Sequence, residues 1–134
     1  MIVVDASAWA NGLADPGDLG ARCRQELDTD PDWIGPAHLP TEVLRTLRRL
    51  EVVGRLSTVG ASTLAADVAS TQVRIFGPEP WLLAAQWELR HNVSAYDAPY
   101  IVIAQRVAAH LITADIRLAR AATALGVRVR LIQL

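Results

Sequence analysis

The chain contains no lysine: all 13 of its basic residues are arginine. Chemistry that requires a lysine is therefore excluded, while the planar fork of arginine suits phosphate; a GC-rich genome produces the same bias. There is one cysteine, Cys23, which rules out a disulfide framework and fits a reducing cytosol. No apolar run approaches the ~18 residues that span a bilayer. The opening "MIVVDASAW" has no basic leader and carries an acid at position 5, so no signal peptide and no membrane partner are expected, and a cytoplasmic location is. No cluster of Cys and His offers a zinc site. An excess of charge of either sign is also missing. The net value of −1 gives no basic signature from which nucleic-acid binding can be read.

What is present is a chain of 134 residues, 51% hydrophobic and 20% charged, enough for one domain over 1–134 with a proper core. "MIVVD" is a β-branched run of the kind buried on both faces of a parallel sheet. A helical turn "ASAWANGLA", a loop at "DPGD" and a helix from Leu19 to about Leu27 follow. "DWIGP" is a short strand stopped by Gly35 and Pro36. Residues 40 to 53 read as a helix with Val43, Leu44, Leu47 and Leu50 on one face and Arg45, Arg48 and Arg49 on the other. Ser57 caps a helix to about Ala69, "TQVRIF" alternates as a strand, and "PEPWLLAAQWEL" is helical. "HLIT" is a buried strand, Asp115 opens a helix closed by Gly126, and "VRVRLI" alternates as an edge strand. Strands alternating with helices predict a three-layer α/β/α sandwich around a mainly parallel sheet of four to five strands.

Four acids stand out by position. In an open parallel sheet, ligands collect at the carboxyl ends of the strands. Asp5 closes the first strand there, and Asp115 follows "HLIT" on a stripe with Leu118 and Ala122; each is also a natural helix N-cap. Glu42 stands in the first turn of its helix, where an ion pair with Arg45 at i+3 is the bland reading. Asp97, in "SAYDAPYIVIA", shares the apolar stripe of Ile101, Ala104 and Ala108. Ser94 and Asp97 have the spacing of a capping box. Pro99 argues instead for a helix that starts at Asp97, with the proline in its first turn, where no amide hydrogen is missed. Capping and metal ligation would then share one carboxylate.

Taken together the four acids are harder to explain as caps. Two carboxylates ~4 Å apart repel by ~4 kcal/mol at an effective dielectric of ~20. Gathering four without compensation would exceed the ~5–15 kcal/mol of a small domain's stability. Such a cluster implies bound cations or protons, and oxygen-only ligands suit Mg²⁺ or Mn²⁺.

At this point "VVDAS", "PTEVLRTLRRL", "SAYDAPYIVIA" and "LITADIRLARAA", in that order and with that spacing over the full length, make the chain resemble a PIN-domain ribonuclease, and closely a toxin of the VapC class. The resemblance implies a PIN-like fold in which Asp5, Glu42, Asp97 and Asp115 form an acidic quartet that holds metal, Glu42 directly or through water. It implies metal-dependent endoribonuclease activity on RNA, often tRNA or rRNA, together with a cognate antitoxin protein and a toxin homodimer. Ser7 and Thr113 correspond to supporting polar positions that orient metal, water or a carboxylate. Where some relatives carry a further acid, this chain has Ile116 and Arg117, which leaves one metal or two open.

The chemistry fits independently. Phosphodiester hydrolysis needs a deprotonated water and neutralised phosphate oxygens, and Mg²⁺ supplies both. Arg45, Arg48, Arg49, Arg117 and Arg120 are candidates for holding the RNA backbone, and solvated helix faces are the alternative. Tyr96 and Tyr100 are candidates for stacking a base, with a core or interface role as the alternative. Receiver-like phospho-acceptors and haloacid-dehalogenase-type phosphatases also place acids at strand ends, but both patterns need a lysine. Two other readings stay open: a PIN nuclease of RNA processing outside toxin–antitoxin systems, and a PIN module that binds RNA or protein without cutting.

Overall fold

The computed structural model describes all 134 residues. The elements are β1 (Ile2–Val4), α1 (Ala6–Ala14), α2 (Asp18–Leu27), β2 (Trp33–Pro36), α3 (Leu39–Val52) and α4 (Thr58–Ser70). They continue with β3 (Arg74–Phe76), α5 (Pro80–Glu88), α6 (Ala98–Val107), β4 (His110–Thr113), α7 (Ile116–Ala124) and β5 (Val129–Leu131). The five strands form one sheet in the order β3-β2-β1-β4-β5, every neighbouring pair parallel. The expected α/β/α sandwich with a parallel sheet is therefore what forms, and "VRVRLI" does finish it at an edge.

The chain order reverses at β1: β2 and β3 lie on one side of it, β4 and β5 on the other. Right-handed crossovers then place α1 to α4 on one face and α5 to α7 on the other. A bond from Gln105 Nε2 to the carbonyl of Leu125 ties α6 to the end of α7 within the second layer. The reversal opens a crevice between β1 and β4, the place where open parallel sheets bind ligands.

Apolar residues explain why the elements sit where they do. Val3, Val4, Ile34, Leu111 and Ile112 are sealed completely, as strands covered on both faces must be. Residues Ala98 to Ala104 of α6 are all buried, so this helix is central and runs across β1, β2 and β4. Because α6 precedes β4 and runs antiparallel to it, its N-terminus lies at the carboxyl end of the sheet. Cys23, on the buried face of α2, is fully enclosed, and burial pushes its thiol up to about 11, so it is inert at neutral pH.

Two local expectations need correcting. Leu44 does not share the buried stripe of Val43 and Leu47; it is 42% exposed, because Leu39, Val43 and Leu47 already form the buried face of α3, which packs against α1 and α4. "TQVRIF" pairs only over Arg74–Phe76, since it meets just the short strand β2 and has no neighbour on its other side. At the start of α2 a close approach decides the sequence. A Cβ on Gly20 would stand 1.9 Å from the carbonyl oxygen of Asp15, so only glycine lets α2 begin against the end of α1. The Gly20 amide uses that proximity to bond the Asp15 carboxylate at 2.6 Å.

Candidate active site

Each acid is brought to the crevice by a different element. Asp5 follows β1 in extended conformation, its amide still paired to Ile112 of β4 at 3.0 Å. It is 6% exposed, and its Oδ2 accepts three hydrogen bonds: from Ser7 N at 3.3 Å, Ser7 Oγ at 2.5 Å and Thr113 Oγ1 at 2.7 Å. The two hydroxyls are themselves fixed, Ser7 Oγ accepting from Ala114 N and Thr113 Oγ1 from Asp115 N, both at 2.9 Å. Ser7 and Thr113 thus lock the end of β1 to the end of β4 through the Asp5 carboxylate.

Asp115 is the N-cap of α7, its Oδ1 accepting from Arg117 N at 2.9 Å and Leu118 N at 3.3 Å. Glu42, in the first turn of α3, does not pair with Arg45. Its Oε1 accepts from the Tyr100 hydroxyl at 3.0 Å and lies 3.1 Å from His38 Nε2. In Asp5, Asp115 and Glu42 all protein hydrogen bonds fall on one oxygen, which leaves the second carboxylate oxygen of each for another ligand.

Asp97 departs from the capping expectation. It stands at the N-cap position of α6, with Pro99 in the first turn, but in helical conformation and with a side chain that caps nothing. Its own amide donates to Ser94 Oγ at 3.1 Å, so only the serine half of the capping box forms, on the turn before the helix. No backbone amide bonds the Asp97 carboxylate; its one protein donor is the Ser94 hydroxyl. Capping falls to Asp5 and Asp115, not to Asp97.

The four acids rim one cavity of about 420 Å³, together with Ser7, Arg45, Thr46, Arg48 and Arg49. No three of the carboxylates close on a point tightly enough to enclose an ion unaided. The donor set nevertheless fits a hard divalent cation: oxygen-only, anionic, with open coordination positions and room for water. The electrostatics agree. Burial raises the pKa of Asp5 despite its bonds from Ser7 and Thr113, and the charge of Glu42 adds to the rise. Asp97 is raised by burial, then by Asp115 and Glu42, against the lowering influence of Ser94 and Arg117. These carboxylates feel one another across the cavity, and a cation there would relieve them.

Among the remaining candidates, Tyr96 is 70% exposed beside the site, whereas Tyr100 is fully buried and cannot stack a base. Its phenol instead holds Glu42, and burial with the nearby charges of Asp5 and Glu42 drives its pKa up. Arg45, Arg48 and Arg49 line the cavity; Arg117 and Arg120 do not, although Arg117 is close enough to act on Asp97. Sequence reasoning missed His38. Its Nε2 reaches both Glu42 and, at 2.9 Å, the carbonyl of Tyr96, and its ring meets Tyr96 and Tyr100 edge-on at 5.7 Å. It therefore braces α3 against the turn that carries Asp97. Its bond to Glu42, with help from the Tyr96 carbonyl, holds its pKa above the ordinary value against the opposing effect of burial. The available signal was a histidine one helical turn before Glu42.

The PIN-domain family model matches residues 2–124. The chain belongs to this family. PIN relatives with curated names agree: Ribonuclease VapC9 of Mycobacterium tuberculosis is 36% identical over 121 residues, covering 88% of each chain. Ribonuclease VapC3 of the same organism is 33% identical over 120 residues, 90% of this chain and 86% of the relative. Among solved PIN-like structures, Mycobacterium tuberculosis VapC20, described as a sarcin–ricin-loop-cleaving toxin, superposes with a TM-score of 0.70 at 22% identity, covering 95% of this chain and 96% of that one. FitAcB from Neisseria gonorrhoeae superposes with a TM-score of 0.66 at 19% identity, covering 96% of each. At those identities the structures speak for the fold of this PIN domain alone.

Proposed function

We propose that this chain, as one PIN domain over 1–134, is a metal-dependent endoribonuclease and the toxin of a toxin–antitoxin pair. The observation that carries the reading is the convergence of Asp5, Glu42, Asp97 and Asp115, from four separate elements, on one cavity at the carboxyl end of the sheet. A binding module has no use for four gathered carboxylates, whose mutual repulsion a bound cation would offset. The curated relatives named as VapC ribonucleases support the same activity.

In this reading Asp5, Asp97 and Asp115 hold Mg²⁺ or Mn²⁺, with Glu42 bound directly or through water. When bound, the ion supplies a water that loses its proton near neutral pH and neutralises charge on the phosphate oxygens. The protein's own contributions are positional. Ser7 and Thr113 fix one oxygen of Asp5 and so aim the other. His38 and Tyr100 do the same for Glu42. Asp97, free of backbone duties, is the acid able to accept a proton or to shift between ligands. Arg45 and Arg49 at the rim, with Arg117 nearby, hold the RNA backbone by charge-assisted bonds. The partners are a tRNA or rRNA substrate, a cognate antitoxin and a second copy of the chain, met in the cytoplasm. No helix is long and apolar enough to cross a membrane.

The test is direct. Asp97→Asn and Asp5→Asn should fold as wild type yet lose Mg²⁺- or Mn²⁺-dependent RNA cleavage in vitro and growth inhibition on induction. Wild-type toxicity in both variants would refute the reading. A short open reading frame beside the gene, encoding a DNA-binding protein that abolishes the toxicity, separates a toxin from an RNA-processing nuclease.

A further inference from the structure

A second cavity, of about 580 Å³, adjoins the acidic one and shares Ser7, Thr46 and Arg49 with it. It runs between α1 and α3 to the turn after α3, where Arg55 stands at its far end. The guanidinium groups of Arg45, Arg48, Arg49 and Arg55 make no ion pair; the salt bridges involve Arg74, Arg130, His38 and the N-terminus instead. Four unpaired cations thus follow one path from the acidic cavity outward. Arg45 to Arg49 is one turn of α3, about 6 Å of rise. The acid in this second cavity, Asp15, has its Oδ2 bonded to the amide of Gly20. The wall of this cavity mixes apolar Ala10, Ala14, Leu50 and Leu56 with polar Asn11 and Thr46, and the Asn11 amide donates to the Ser7 carbonyl at 2.8 Å.

We propose that this second cavity carries the RNA strand flanking the scissile phosphate, with Arg49 at the junction and Arg55 at the exit as phosphate contacts. The proposal rests on the ribonuclease reading above and adds the path of the substrate. The charge pattern favours it: a polyanion cut at the acidic cavity must be held by cations beside it. The site is therefore a positioning track for the strand. Each phosphate contact on a single strand contributes about 0.7 to the slope of log K against log salt, or about fivefold in affinity near 0.1 M salt.

The experiment uses the full chain bearing Asp97→Asn, so that RNA is bound and not cut, and a fluorescein-labelled single-stranded 12-nucleotide RNA of random sequence. Anisotropy titrations from 50 to 200 mM salt, with Mn²⁺ present, should show Arg49→Gln and Arg55→Gln each weakening binding about fivefold at 0.1 M salt and reducing the slope by about 0.7. Arg55→Lys should restore the slope. Arg74→Gln, whose arginine is paired with Asp32 at the opposite end of the strands, serves as control and should change neither. In the cutting enzyme, Arg55→Gln should raise KM with kcat retained. If Arg55→Gln binds RNA with unchanged affinity and slope while wild type still cuts, the track is refuted and the nuclease reading stands. If that variant instead loses only its complex with the neighbouring antitoxin, the cavity is a protein-docking site and the proposal is overturned. If wild type neither binds nor cuts RNA, both readings fall together.

Discussion

Asp5 offers the sharpest test of the metal hypothesis, because its environment makes opposite predictions with and without a cation. Burial raises its pKa and the charge of Glu42 raises it further. For an acid raised on folding, the contribution to stability is complete below the unfolded value of ~3.9 and is lost as pH climbs through the raised folded value. Metal-free wild type should therefore lose this contribution towards neutral pH. Asp5→Asn should not, because the amide has no charge to bury and its oxygen can keep the bonds from Ser7 and Thr113 that Oδ2 now accepts. In EDTA at pH 7 the variant should melt no lower than wild type. A metal ion at 100 times its dissociation constant adds ~2.7 kcal/mol to the state that binds it. Unfolding entropy of ~2.1 cal/mol/K per residue gives ~0.28 kcal/mol/K for a chain of this length, so Mn²⁺ should raise the wild-type Tm by about 10 °C. The rise should shrink on acidification, as protons compete with the ion for Asp5 and Asp97, and should be absent in Asp5→Asn. Differential scanning calorimetry in EDTA and in Mn²⁺, at pH 5 and pH 7, measures all of this. An equal Mn²⁺ shift in wild type and Asp5→Asn would refute the reasoning, since the ion would then be bound elsewhere.

Two further outcomes follow from particular contacts. Tyr100→Phe removes the phenol that holds Glu42 and should cost about 1 kcal/mol, or about 4 °C in Tm, because Glu42 is partly exposed and water replaces some of the lost bond. The same variant should lower the kcat of RNA cleavage, and undiminished cleavage would show that Glu42 needs no such brace. Gly20→Ala should destabilise by about 1–3 kcal/mol through the clash with the Asp15 carbonyl, read as a fall in Tm; a wild-type Tm would mean that the start of α2 yields freely.

The parts of the molecule legible in the sequence are those governed by neighbours along the chain. Pro99 located the start of α6 because a proline's missing amide hydrogen is tolerated only in a first turn, and the β-branched runs marked the buried strands. Ser57 and Asp115 announced helix starts, and both side chains make the expected capping bonds. What escaped was decided by residues far apart in sequence. Glu42 has an arginine three residues on, yet it meets His38, four residues back, and Tyr100, 58 positions away, and no local spacing contains the second partner. The bond between His38 and the carbonyl of Tyr96, 58 positions away, exists only once the fold brings the two together. Asp97 fitted a capping box, but Pro99 shifted the helix start by three residues and released the carboxylate from that work.

The bond from Thr113 to Asp5 joins residues 108 positions apart, and it completes only when β4 lies beside β1. During synthesis at ~5–20 residues per second, roughly 5 to 20 seconds separate the appearance of Asp5 from that of Asp115. For all that time the emerging polypeptide holds an incomplete set of acids and no strand against which to set the first. A nuclease whose site needs the ends of both β1 and β4 is silent until the second has been made. Prematurely terminated products lacking β4 should be harmless to the cell that translates them.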